Sequence, residues 1–481
     1  MKLTRRGVLR GAGITAAAAF RGMARAAVPT SPVMTTLSAY MSEAGGRALP
    51  AEVVEKAKHH ILDTLAAMVS GSQLPPGRVA IEFARAHSGE KAATIAGSTI
   101  LCGAIDAAMV NGMLAHSDET DDTHSPSLSH PGCAVVPAAL AAGEQFGIDG
   151  TRWLRAVTLG YDIGPRVTMM MGRGVLMDQG HKSTHSIAGV FGAAAAAGCA
   201  AGLNAQQMRW LLDYTAQQSS GIAAWQRDTD HIEKGFVFAG MPARSGVTSA
   251  LLVQIGGTGV DDILSGPDNF LLANAPQADP AKLIEKLGER YEVTRTSIKK
   301  WTVGSPIQAP LDALDNILKR RPLEPDQVRQ VTVRVATSEA KTVNNREMPD
   351  ICMQHMMSVM LIDKTASFRA AHEKARMQDP AILKQRAKVQ LIPDEELERR
   401  LPARQAIVEV TLLDGTRLTE RVEAVRGSAE NPMTRDEVVA KSRDLMTPVL
   451  GEPACAKLIE RVLDLENLKH LRELRPLLQR A

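Results

Sequence analysis

Three histidines and four acids fall within residues 116–130, HSDETDDTHSPSLSH. Imidazoles titrate near neutrality, and carboxylates beside them orient the ring and hold its charge. A segment built this way can therefore abstract and return protons. The same ligand types can also hold zinc, manganese or iron. However, the spacings H-x7-H and H-x5-H match no common zinc pattern, and H-E-x-x-H is absent. A P-loop, a G-x-G-x-x-G after a strand and a G-x-S-x-G elbow are absent as well.

Catalytic loops need rigid supports. The blocks on either side, AIDAAMVNGMLAH and GCAVVPAALAAGE, have small and aliphatic residues at helical spacing. The segment thus reads as helix, polar loop, helix. Further helices are expected from Leu49 to Gly71 and over 189–203, 205–218 and 243–256. Glycine and alanine recur along the first and last of these three, so their backbones can approach closely. After about residue 320 the pattern changes. VRQVTVRVA (328–336) alternates with period two, and residues 404–425 form two alternating runs joined by Asp414-Gly415, a hairpin signal. Residues 352–376 are helical in pattern. Thr434 and Glu437 have capping-box spacing, and a last helix follows Gly451. The fold expected is mainly α: a large all-helical domain over 30–270, a smaller α+β lid over 275–445, and C-terminal helices over 446–481.

Two domains also follow from the length of 481 residues. Aromatics make up only 3% and methionines number 21, which suits closely packed helices with adaptable filler. Residues 1–26 hold Lys2, Arg5, Arg6, Arg10, Arg21 and Arg25 and no acid, and the rest of the chain carries 50 bases against 53 acids. No basic face for nucleic acid is evident. TRRGVLRG, GITAAAAF and Ala24-Arg25-Ala26 together resemble a twin-arginine export signal with its cleavage site, which implies a periplasmic protein. The apolar run is too short for a membrane anchor, and no later segment reads as a transmembrane helix. Cys102, Cys133, Cys199, Cys352 and Cys455 are scattered without C-x-x-C pairs and read as buried free thiols.

NGMLAHSDETDDTHSPSLSHPGCAVVPAALAAGE resembles the D-x-D-D-T…H-P signature of the MmgE/PrpD family. The likeness continues through GYDIGPRV, THSIAGVFGAAAAAG, DTDHIEKGFVFAGMPARSG, SIKKWTVGSPIQAPLDAL and NPMTRDEVVAKS, in the family's order. It implies a metal-free site between a helical domain and a lid, no cofactor, a homodimer, and a lyase-type reaction on a small di- or tricarboxylate. By motif position His130 is the acid/base, with Lys234, His185, Glu119, Asp122 and Thr123 as the other catalytic candidates. Lys299, His181 and Arg227 are candidates for binding substrate carboxylates, and Asp121 is expected to orient backbone. Glu119 stands where many members have Asp. GHKSTHSIAG departs from the family's G-F-H-x-T, so either His181 or His185 can supply the second imidazole. Trp301, Thr302 and Gln308 replace a Tyr-Pro and a histidine. Two other readings compete: a metalloenzyme, and an exported carboxylate-binding protein without catalysis.

Overall fold

The computed structural model describes residues 29–87 and 89–480; the expected leader lies outside these residues. Six helices form the framework: Ala51–Gly71, Ala104–Ala115, Pro131–Phe146, Gly150–Met171, Thr184–Ala201 and Met241–Gln254. Thr184–Ala201 is at their centre, packed against Pro131–Phe146, Gly150–Met171 and Met241–Gln254. Its Gly-Ala surface explains the position. A Cβ on Gly164 would stand 2.3 Å from the Ala188 carbonyl oxygen, so only glycine permits this helix spacing.

Thr184–Ala201 and the continuous helical run Ile232–Gln254 are apolar and long enough to cross a bilayer, with mean hydropathies of 1.2 and 1.3. Both go beyond the expectation from the sequence that no segment after the leader is apolar and long enough to span a bilayer. The first is 94% buried within the protein, where its apolarity serves packing.

A second hydrophobic core lies over 301–425. Its sheet, built from β3 Val328–Ala336, β4 Val389–Asp394, β5 Ala406–Leu412 and β6 Arg417–Val422, has the order β4-β3-β5-β6; β1 Ala93–Thr94 and β2 Leu101–Cys102 form a separate antiparallel pair. β3, β5 and β6 are the alternating runs seen in the sequence. β4 pairs parallel to β3 at the sheet edge, and Pro393 is tolerated there because an edge strand needs fewer N–H donors. The expected helix over 352–376 breaks at Lys364, which adopts a left-handed conformation, and continues as Phe368–His372 and a further turn.

Arg435–Leu450 and Glu452–Leu463 return to the helical core, where Arg435–Leu450 packs on Ala51–Gly71. Val438 and Leu445, counted with the lid in the sequence, belong to the first core. The capping box at Thr434 and Glu437 starts this helix. All five cysteines are buried free thiols.

Candidate active site

The loop after Ala104–Ala115 starts at His116, the helix C-cap, and ends at His130, directly before Pro131. Residues 116–124 are all buried. The four acids are therefore not solvated loop charges, and each must have a partner.

Asp122 is fully buried and tied to the scaffold. Its carboxylate accepts from the Gly132 N–H at 3.0 Å and from the Tyr161 hydroxyl at 2.5 Å, and it pairs with His60 Nδ1 at 2.8 Å. It locks the loop to three helices and does not line the cleft. Asp121 has the opposite role. It lies 2.9 Å from His116 Nδ1, 3.4 Å from His130 Nδ1 and 3.7 Å from Lys299 Nζ. Burial disfavours its charge, but these cations and imidazoles hold its carboxyl well below the usual carboxylate range. The parts expected of Asp121 and Asp122 are thus exchanged: Asp122 orients backbone, and Asp121 stands among the titrating groups.

Thr123 pairs with Ser297 as an antiparallel bridge, with N···O distances of 2.9 and 2.8 Å. That register brings Lys299, two residues on, under the loop. Its Nζ donates to the Glu119 carbonyl at 2.9 Å and lies 3.4 Å from the Glu119 carboxylate, which also binds Lys234. Burial opposes the Glu119 charge; Lys234 and Lys299 outweigh it and hold the carboxyl well below its ordinary value. Burial likewise works against the Lys299 cation, but Glu119 and Asp121 raise it.

His130 Nδ1 meets the Asp122 carbonyl oxygen at 2.6 Å. A carbonyl only accepts, so Nδ1 carries the proton and Nε2 keeps its lone pair. Phe238, in the FVFAG turn, is the platform beneath the imidazoles. His185 stacks on it with ring centroids 3.9 Å apart, His116 at 4.8 Å, and Trp225 meets it edge-on at 4.7 Å. His185 reaches this place because Ser183 caps Thr184–Ala201 and sets the histidine in its first turn. Burial, followed by His130 and Lys234, pushes His185 well below the usual imidazole value.

A cleft of about 550 Å³ opens above these groups, lined from the helical core by Glu119, Thr123, His130, His185, His231 and Lys234. The lid contributes Ser305, Arg346, Met348 and Arg404, among others. Lys299 lines a neighbouring cavity of about 340 Å³ that shares Thr123, Ser305 and Arg404 with the cleft. Besides Asp122 and Lys299, two further sequence candidates are not in the cleft. His181 is exposed, its carbonyl bound by the Ala223 N–H, and Arg227 is exposed beside the cleft residues Trp225 and Gln226. Of His181 and His185, it is His185 that lines the cleft.

Four groups had no role assigned from the sequence. His231 adjoins His116, with ring centroids 5.1 Å apart. His372 reaches from the lid to Asp118 at 2.8 Å, with buried Asp350 nearby. Lys441 donates to the Thr120 carbonyl at 3.0 Å and pairs with Asp63 at 2.6 Å. Lys441 and His231 carried a signal, because they fall in the NPMTRDEVVAKS and DTDHIEKGFVFAGMPARSG blocks.

His116, Glu119 and His231 offer donor atoms within 4.8 Å of one another, as do His116, Asp121 and His130. Glu119 already neutralises Lys234 and Lys299, and Asp121 faces Lys299 at 3.7 Å, so a divalent ion would meet two lysine ammoniums in the first set and one in the second. The donor sets fit lysine and imidazole chemistry better than a resident metal.

The MmgE/PrpD N-terminal domain matches residues 35–282, and the MmgE/PrpD C-terminal domain matches residues 301–466. A cis-aconitate decarboxylase of Aspergillus terreus is 24% identical over 459 residues, covering 89% of this chain and 92% of that protein. A cis-aconitate decarboxylase of Homo sapiens is 25% identical over 454 residues, covering 89% and 90%. Between them the two domain matches take in the loop of Asp121 and His130, Lys234, and the lid wall of the cleft, and the chain belongs to the MmgE/PrpD family.

Proposed function

We propose that the protein is a lyase-type enzyme acting on a small di- or tricarboxylate by proton transfer at the carbon next to a carboxylate. The observation that carries this reading is the fixed tautomer of His130. Its Nδ1–H is held by the Asp122 carbonyl, with Asp121 behind it, so the bare Nε2 is a base. Lys234 stabilises the charge that develops on the substrate, and Thr123 and His185 complete the wall around it. Site residues from the sequence that line the cleft are therefore His130, Lys234, His185, Glu119 and Thr123, with Lys299 acting from beneath through Glu119.

The relatives are named cis-aconitate decarboxylases, so an unsaturated tricarboxylate is the first substrate to try. Glu119 and the Trp301, Thr302 and Gln308 substitutions point to a related acid as the preferred one. Trp301 and Gln308 bond each other and Asp312 within the lid, and so do not reproduce a substrate-facing tyrosine and histidine. Export by the twin-arginine route rests on residues 1–26 and belongs to the same proposal.

The test is incubation with a panel of di- and tricarboxylates, with products identified by NMR. Loss of water, loss of CO₂ or inversion at one carbon supports the reading and says which reaction occurs. Tight binding of an acid with no turnover of any panel member would replace it with a carboxylate-binding role.

A further inference from the structure

His116 and His231 are both buried, and each keeps a buried Nε2 with no hydrogen-bond partner among the described residues. Leaving one such nitrogen unpaired costs about 1–3 kcal/mol, and two neighbouring ones need a reason. Their rings stand 5.1 Å apart, close enough for facing nitrogens to meet after a small rotation. His116 Nδ1 faces the Asp121 carboxylate at 2.9 Å, so Nδ1 carries the proton and Nε2 the lone pair. A neutral His231 can satisfy that lone pair only with an Nε2–H. Its own lone pair is then on Nδ1, and His231 lines the cleft.

We propose that His231 is a second acid/base of the site, set in this tautomer by the positioning residue His116, so that Asp121 supports two imidazoles at once. His130 is held by Asp121 directly and His231 is held through His116. This rests on the proton-transfer reading above. Two imidazoles are what a reaction needs to take a proton from one position of the substrate and deliver one to another. Neutral at rest, His231 takes up a solvent proton on Nδ1 as the substrate's carboxylates enter. His130 Nε2 then takes the proton as the C–H bond breaks, and His231 gives its own from Nδ1 to the leaving oxygen, the second carbon or the opposite face. The protein's proton count is unchanged, and the pair resets by exchange with solvent. Burial first, and then Lys234 and His116, push His231 well below the usual imidazole value, which keeps it neutral at rest.

The test uses the full-length protein in heavy water with the panel acid that it converts. His231 has φ +63°, which asparagine tolerates, so His231→Asn should keep the fold. Net turnover should fall about 10²-fold, while deuterium uptake into recovered substrate through His130 stays within about threefold of wild type. His116→Phe, which keeps a ring on Phe238 but removes both nitrogens, should show the same split in a folded protein whose melting midpoint is lowered, because Asp121 loses its 2.9 Å partner. In wild-type protein labelled with ¹⁵N-histidine, the His231 Nδ1 signal should be that of an unprotonated nitrogen. Equal loss of uptake and turnover in both variants, near-normal turnover in His231→Asn, or a protonated Nδ1 would each overturn the inference. Absence of both uptake and turnover in wild type on every acid would instead remove the proton-transfer reading itself.

Discussion

Replacing Asp121 by asparagine keeps the side chain's shape and removes one charge from the centre of the site. The carboxylate lies 3.4 Å from His130 Nδ1, 2.9 Å from His116 Nδ1 and 3.7 Å from Lys299 Nζ, with no exposure to solvent. Unit charges about 4 Å apart at an effective dielectric near 20 interact by about 4 kcal/mol, and this bounds the support that Asp121 gives to a protonated His130. Glu119 still neutralises Lys299 in the variant, so part of the field survives. A fall in kcat of about 10²–10³ follows, equivalent to about 3–4 kcal/mol of barrier. Stability should change by only about 1–2 kcal/mol, because the asparagine oxygen still accepts from His116. Steady-state kinetics and thermal melting on the same preparation check both numbers. A variant within threefold of wild-type kcat, or one that loses activity only by unfolding, would refute the role given to Asp121.

In the proposed reaction Lys234 contacts substrate before and during the step, so in Lys234→Ala KM should rise as kcat falls, and a change in KM alone would make Lys234 a binding group only. Asp122→Asn should act mainly on stability, because its partners are His60, Tyr161 and the Gly132 N–H; a loss of kcat with no change in the melting midpoint would contradict this. Burial lowers His372, but Asp118 and its hydrogen bond outweigh this and raise it to about 9. Lid docking through this pair is therefore complete below the ordinary imidazole value near 6.5 and lost as pH rises through about 9. Limited proteolysis of the lid should accelerate across that window in wild type and be fast throughout in His372→Gln. Changing Arg5 and Arg6 together to lysine should leave full-length protein in the cytoplasm, and unchanged periplasmic delivery would mean another route.

The helical framework was legible because small and aliphatic residues recur at helical spacing from Leu49 to Gln254. The lid strands were legible where period-two alternation is unbroken, as in VRQVTVRVA. β4 was hidden by Pro393, which reads as a breaker unless the strand is known to be at an edge. At the site, motif order placed His130, Glu119, Thr123 and Lys234 on the cleft. Spacing alone could not choose between His181 and His185, because the choice depends on where Ser183 starts the helix. Nor could it tell Asp121 from Asp122. Adjacent residues in an irregular loop point in different directions, and only the contacts with Tyr161 and His60, far away in sequence, show which carboxylate faces the scaffold. His231 lies in the DTDHIEKGFVFAGMPARSG block, where the resemblance assigned a role only to Lys234, and His372 comes from a segment with no catalytic pattern of its own.

The most direct measurement is deuterium uptake, followed by NMR in heavy water, at the carbon beside a substrate carboxylate, for wild type and His130→Ala side by side over the same panel of polycarboxylates. Uptake by wild type with at least one acid, reduced about 10²–10⁴-fold in a folded His130→Ala, is the expected result. Equal uptake by the two proteins would contradict the assignment of His130 as the base.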